Sequence, residues 1–302
     1  MEKRANDKPI EIPLITDGDL QNNEMVCFVL FVAADILLKK DRTNEELHVI
    51  QVFEIITKIQ SCFKCIDQAC NFIKRRPTVK ELDKNEEMTV IDYYNYHYDV
   101  VIHKLSTIRD LSLKLINQVY NIKLKDKDCN WNNISRNKDS ITTAGVLNIQ
   151  ALYYHLMKVI EDERNESSHN GAIEIKIFNY IDILVRISQL KRLELIPSDM
   201  EIEYPMAKGT YYEYLLRYKK YELQERIRTY KSVSLFCIHL LTCCMSNKFK
   251  SEISEELLAH HSEAIQKANN KIDTYEKKSN KLSFFYHWLI KHDKLMESLK
   301  NS

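Results

Sequence analysis

Glycine is almost absent from this chain. The 302 residues include four, at positions 18, 145, 171 and 209, each isolated from the others. A phosphate-cradling loop or a dinucleotide fingerprint needs several glycines at close spacing, so both are excluded, and with them most nucleotide-driven enzyme classes. Proline is nearly as scarce, with five, and neither residue occurs between Thr210 and Ser302. An excess of one charge is also missing: 44 Lys and Arg stand against 43 Asp and Glu. Any contact with nucleic acid must then come from a local patch rather than a global field. Long apolar runs are lacking too. Met25–Leu38 is apolar except for Asp35, too short to span a bilayer, and is expected to be a buried helix or strand with no membrane partner.

Met1–Glu24 is polar, with Pro9 and Pro13 and no apolar segment of the kind that opens a secretory leader. The expectation is a flexible arm over residues 1–24 and a cytoplasmic protein with reduced thiols. Eight cysteines stand at 27, 62, 65, 70, 129, 237, 243 and 244. Cys62-x-x-Cys65 is half of a zinc pattern, but no second pair completes it, so these are read as helix residues and neither metal nor cofactor is expected.

What the chain has is helical periodicity. Thr43-x-x-Glu46 forms a candidate capping box, opening a helix with a buried face of Val49, Val52, Phe53, Ile56, Ile59, Phe63, Ile66, Cys70 and Ile73 and ended by Pro77. Ile91, Tyr94, Tyr98, Val101, Leu105, Ile108, Ser112, Leu115, Val119 and Ile122 then alternate by three and four without a slip. This coiled-coil-like seam could pack within the chain or across a dimer. Lys123–Lys138, with Trp131, reads as a connecting loop. Ile149, Leu152, Tyr153, Leu156, Met157 and Ile160 mark a helix from about Asn148 to Arg164, and Ile177 to Leu190 another. Leu195–Thr210 reads as a loop and places a sub-boundary at 195–210. A long helix follows through Leu216, Leu223, Ile227, Tyr230, Cys237, Leu241 and Cys244. Further helices are expected over 251–278 and 282–289. The fold class is all-α, a bundle of long antiparallel helices filling residues 25–302.

One stretch interrupts this pattern with chemically capable residues: Glu163-Arg164-Asn165-Glu166-Ser167-Ser168-His169-Asn170-Gly171. Arg164 extends the apolar stripe that ends at Ile160. His169 lies five residues on, so an unbroken helix would turn the two about 140° apart. Ser167, Ser168, Asn170 and Gly171 favour caps and turns, and a break there would let Arg164 and His169 converge.

Arg164, Asn165 and His169 match, position by position, the RNxxxH form of the R-x4-6-H motif, and the stretch resembles the HEPN superfamily of all-helical proteins, many of them RNases. The resemblance implies a HEPN-like core with additional helices and a metal-independent endoribonuclease. In such a mechanism the RNA 2′-hydroxyl attacks the adjacent phosphate, leaving a 2′,3′-cyclic phosphate and a 5′-hydroxyl. The residue types suit that chemistry. Histidine titrates near neutrality and can move the proton, and the arginine fork can hold two phosphoryl oxygens. Asn165 would orient either partner or the RNA. The resemblance also implies a homodimer with facing motifs, and a toxin or defence role with a neutralising antitoxin partner.

Two other readings stay open. A catalytically silent helical module would bind a protein, nucleotide or RNA partner. In a purely structural bundle, Arg164 would pair with Glu161 and His169 would cap a helix end. Away from the motif, Arg217, Tyr218, Lys219 and Lys220 lie in a run that interleaves aromatic and basic residues, a mixture able to stack bases and neutralise phosphates. Glu213, Glu222 and Glu225 dilute it. His97, His103, His260 and His261 show no metal-ligand spacing and are read as surface or core residues.

Overall fold

The computed structural model describes residues 16–75, 90–143, 145–170 and 208–276. Every regular element among them is helical, and the protein is all-α. In chain order the α-helices are α1 (Asp17–Gln21), α2 (Glu24–Ile36), α3 (Asn44–Lys74), α4 (Val90–Val119), α5 (Trp131–Arg136), α6 (Val146–Leu156), α7 (Lys158–Asn170), α8 (Lys208–Ser251), α9 (Glu255–His260) and α10 (Ser262–Glu276). The expectations for 1–15, for Pro77, for the helix and loop over 171–207 and for the aromatic helix at 282–289 lie outside the described residues.

Local chemistry sets the boundaries. Asn23 caps α2 by accepting from the Met25 and Val26 amides, which settles the apolar run as helix rather than strand. The capping box at α3 is present in both directions. Glu46 donates its amide to Thr43 Oγ1 at 3.2 Å, and the Thr43 amide donates to Glu46 Oε2 at 2.9 Å. α4 ends in a left-handed Asn121 (φ 50°). There the Ile122 amide donates to the Asn117 carbonyl and the Asn121 amide to that of Gln118, the two bonds of a Schellman motif. Residues 16–24, read from sequence as part of an arm, carry the one-turn helix α1, closed by a capping box between Thr16 and Asp19. The Lys123–Lys138 connection contains a 3-10 turn at Asp126–Asp128 and the short helix α5.

The chain divides into two compact units. The first draws on Met1–Ile59, Arg109–Leu156 and Ser232–Ser302, the second on Gln60–Ile108 and Met157–Lys231, so α3, α4 and α8 each supply residues to both. In the first unit the α8 segment from Val233 to Thr242 is buried at every position, the behaviour of a helix enclosed on all sides. Sequence spacing had marked only one face of it. Phe249 meets the edge of Phe28 and stacks on His48, and α10 lays Ala268 and Ile272 against Cys27 and Phe31 of α2.

In the second unit Ile91, Tyr94, Tyr98, Val101, Leu105 and Ile108 of α4 are all buried, with Ile66 and Ile73 of α3, Ile160 of α7 and Leu216, Leu223 and Ile227 of α8. The α4 seam is therefore covered within the chain, from Ile91 to Val119, and does not offer a dimer surface.

Candidate active site

α7 carries the motif. It starts after Met157, where a turn separates it from α6, so the single helix expected from Asn148 to Arg164 is two. Met157 and Ile160 are buried and pin the first turn of α7 to the core of the second unit. The next turn is polar and is held by specific bonds. Glu163, in the residue before the motif, accepts from Tyr98 Oη at 2.8 Å through Oε2 and from Arg226 Nη2 through Oε1. Both carboxylate oxygens are thus occupied, one by α4 and one by α8. The Arg226 guanidinium lies over the rings of Tyr98 (5.8 Å) and Tyr230 (5.6 Å).

The electrostatics follow from burial. Tyr98 is 1% exposed, and burial, with the Glu163 charge next, pushes its hydroxyl well above the usual tyrosine range. It therefore donates to Glu163 as a neutral phenol. Burial alone would pull Arg226 down, but Tyr98, Glu163 and Tyr230 together hold it above its ordinary value. Arg226 is a permanent cation in this cluster.

Arg164 points another way. Its Nη1 donates to Ser106 Oγ at 3.0 Å; Ser106 is 2% exposed and Arg164 half-buried. The arginine is thereby fixed against α4, eight residues along from Tyr98. Asn165 is exposed. α7 continues unbroken through Asn170, so the expected break between Arg164 and Asn170 is absent. The serines do not terminate the helix because the turn before them is anchored at Glu163 and Arg164. Position 169 then lies about 7.5 Å along the axis from 164 and about 140° round it. The side chain of His169 lies outside the described residues.

The four residues read as RNA contacts sit near the start of α8. Arg217 is exposed. Tyr218 is exposed, stacks on Tyr214 with ring centroids 6.4 Å apart, and has Lys219 Nζ 5.2 Å from its ring. Lys219 also pairs with Glu222 at 2.8 Å. Lys220 turns inward, donating to the Lys74 carbonyl and lying 5.9 Å from the Tyr94 ring. Cys62 and Cys65 are free thiols on α3. Among the described residues no group of three or more His, Cys, Asp or Glu side chains could hold a metal ion, and no helix is long and apolar enough to cross a membrane.

Sequence reasoning missed the Tyr98–Glu163–Arg226 cluster and the role of Ser106. A faint signal existed: Tyr94, Tyr98 and Ser112 are polar-tipped residues inside an otherwise apolar seam, and such groups need partners when buried.

A family model for Cthe2314-like HEPN matches residues 49–221, more than half of the chain. No curated protein and no solved structure matches it.

Proposed function

We propose that this chain, which belongs to the Cthe2314-like HEPN family, is an endoribonuclease that cleaves RNA by attack of the 2′-hydroxyl and needs no metal ion. The observation that supports this reading is the setting of Arg164. It is half-buried, held by Ser106 on α4, and follows a glutamate whose charge is already satisfied by Tyr98 and Arg226. Glu163 is engaged by Tyr98 and Arg226, and the planar fork of Arg164 suits two phosphoryl oxygens. In this mechanism Arg164 stabilises charge on the phosphoryl oxygens and His169 moves the proton to or from the reacting hydroxyls. Asn165, exposed beside Arg164, hydrogen-bonds the phosphate or sugar.

The continuous helix bears on how the two groups meet. Turned about 140° apart, Arg164 and His169 of one chain do not lean toward one point by virtue of the backbone. A homodimer that sets the motif of one copy against that of the other brings an arginine and a histidine together across a cleft and supplies the two proton transfers that one imidazole handles poorly. Such an activity, in the cytoplasm, fits a toxin or defence effector held in check by an antitoxin protein.

Purified protein incubated with mixed RNA in excess chelator, beside the His169→Ala variant, tests the reading. Cleavage that is lost with the imidazole supports it. Inertness of both proteins favours a silent module that binds a nucleotide, RNA or protein partner. Equal cleavage by both removes His169 from the chemistry.

A further inference from the structure

We propose that Lys39, Glu46 and His261 form a pH-responsive latch in the first unit, in which Lys39 takes the place of a proton on the histidine ring. Asp35 lies in the last turn of α2, Glu46 in the first turn of α3, and His261 between α9 and α10. The His261 side chain is 0% exposed. Its backbone is held on both sides, the amide donating to the Leu257 carbonyl and the carbonyl accepting from the Ile265 amide, each at 3.0 Å. Nδ1 of the ring faces Asp35 Oδ2. Nε2 faces two groups at once, Glu46 Oε1 at 3.3 Å and Lys39 Nζ at 3.4 Å. Lys39 also donates to that same Glu46 oxygen at 2.6 Å.

A carboxylate only accepts, so Asp35 keeps a proton on Nδ1 in either charge state of the ring. The proton that a histidine exchanges near neutrality is then the one on Nε2. In the imidazolium, Nε2–H donates to Glu46 Oε1. In the neutral ring, the Nε2 lone pair faces that oxygen with no proton between them. Lys39 has three N–H donors, reaches both atoms, and bridges them. The ring is thus fully bonded in both states, where an unpaired buried nitrogen would be costly. The charged and titratable groups around it are Asp35 from α2, Lys39 from the turn that follows, Glu46 from α3 and His260 from α9, whose ring meets that of His261 edge-on at 5.0 Å. The Glu46 side chain is 6% exposed and that of Asp35 48%, so the exchange takes place on the buried side of the ring.

Lys39, Glu46 and His260 line a cavity of about 840 Å³ together with Asp41, Glu45 and Glu256. Uptake of the Nε2 proton adds one positive charge behind that wall and releases a Lys39 donor from the ring. The latch therefore sets the charge of the cavity wall by pH without leaving a broken bond in the core. Lys39 matters most to the neutral ring. Without it, the imidazolium still has both carboxylates, while the neutral ring has an unpaired Nε2 facing a carboxylate. In a protein lacking Lys39, the carboxylates favour the charged ring, so stability is retained at low pH and lost as pH rises.

Nitrogen NMR of the full chain labelled at histidine reads the ring directly, with His261→Asn identifying its signals. Between pH 5 and pH 9 the Nε2 signal is expected to move from the protonated to the unprotonated position, while Nδ1 stays protonated throughout. A ring that keeps its Nε2 proton at pH 9, or that gives up the Nδ1 proton instead, overturns the proposal. Thermal melting supplies a second readout. Relative to wild type, Lys39→Met is expected to lose about 3 °C more in Tm at pH 8 than at pH 6, and the Lys39→Met/His261→Asn double variant to show no such difference. An equal loss at the two pH values contradicts the latch. A difference that persists in the double variant belongs to another group and contradicts it as well.

Discussion

Arg164 donates through Nη1 to the buried hydroxyl of Ser106 at 3.0 Å, and this bond, together with that from Tyr98 to Glu163, ties the motif helix to α4. Ser106→Ala removes the acceptor and leaves space rather than a clash. Stability should fall by about 1 kcal/mol, read by urea denaturation. If Arg164 acts on the phosphate, turnover should fall about tenfold, because a loosened guanidinium is mispositioned without being lost.

Glu163, Tyr98 and Arg226 are expected to behave as one unit. Tyr98→Phe deletes a donor and should cost about 1 kcal/mol. Arg226→Ala leaves a carboxylate that is 20% exposed without its cation and should cost about 1–2 kcal/mol, water screening part of the loss. Because both hold the same carboxylate, the two substitutions should be non-additive in a double-mutant cycle.

Acid should loosen the first unit through Glu46. Burial alone would raise this carboxyl, but Lys39, the Thr43 amide and His261 outweigh burial and bring it from 4.5 down to about 2. A carboxyl depressed in the folded state stabilises the fold above its unfolded value and loses that contribution as pH falls through the window from about 4.5 to about 2. The full effect is about 3 kcal/mol. Thermal melting followed from pH 6 to pH 3 should show a falling Tm, and Glu46→Gln should flatten that fall.

Cys70 and Cys129 are pushed up to about 11, and Cys243 to about 12, in each case chiefly by burial. The thiolate is the reactive form. At pH 7.5, alkylation followed by mass spectrometry should run about a hundredfold slower at Cys70 and Cys129, and about a thousandfold slower at Cys243, than for an ordinary exposed thiol, and should speed up about tenfold for each unit rise in pH.

Helices were the most legible part of the sequence. Spacing alone identified the Thr43–Glu46 capping box and the α4 seam, because each is a local rule read over three or four residues. What lay beyond reach were the pairings across the chain. Periodicity says that Tyr98 is buried but not that Glu163 lies opposite, and nothing local links Glu163 to Arg226 on another helix. The same limit left open whether the seam packs within the chain or against a copy. The turn at Met157 and the unbroken course through Ser167 and Ser168 were misjudged for one reason: side-chain anchoring to neighbouring helices overrides propensities of a few tenths of a kcal/mol. The candidate site was legible as the letters of Arg164, Asn165 and His169, and only the structure supplies the Ser106 bond made by the first of them.

The central claim is chemical, so the ends of the products test it most directly. RNA cut by the wild-type protein in chelator should carry a 2′,3′-cyclic phosphate on one fragment and a 5′-hydroxyl on the next, by mass spectrometry, with neither formed by Arg164→Ala or from the same sequence bearing 2′-O-methyl groups. Fragments with 5′-phosphate and 3′-hydroxyl ends, or cleavage of the 2′-O-methyl strand, would contradict attack by the 2′-hydroxyl and with it the role assigned to this helix.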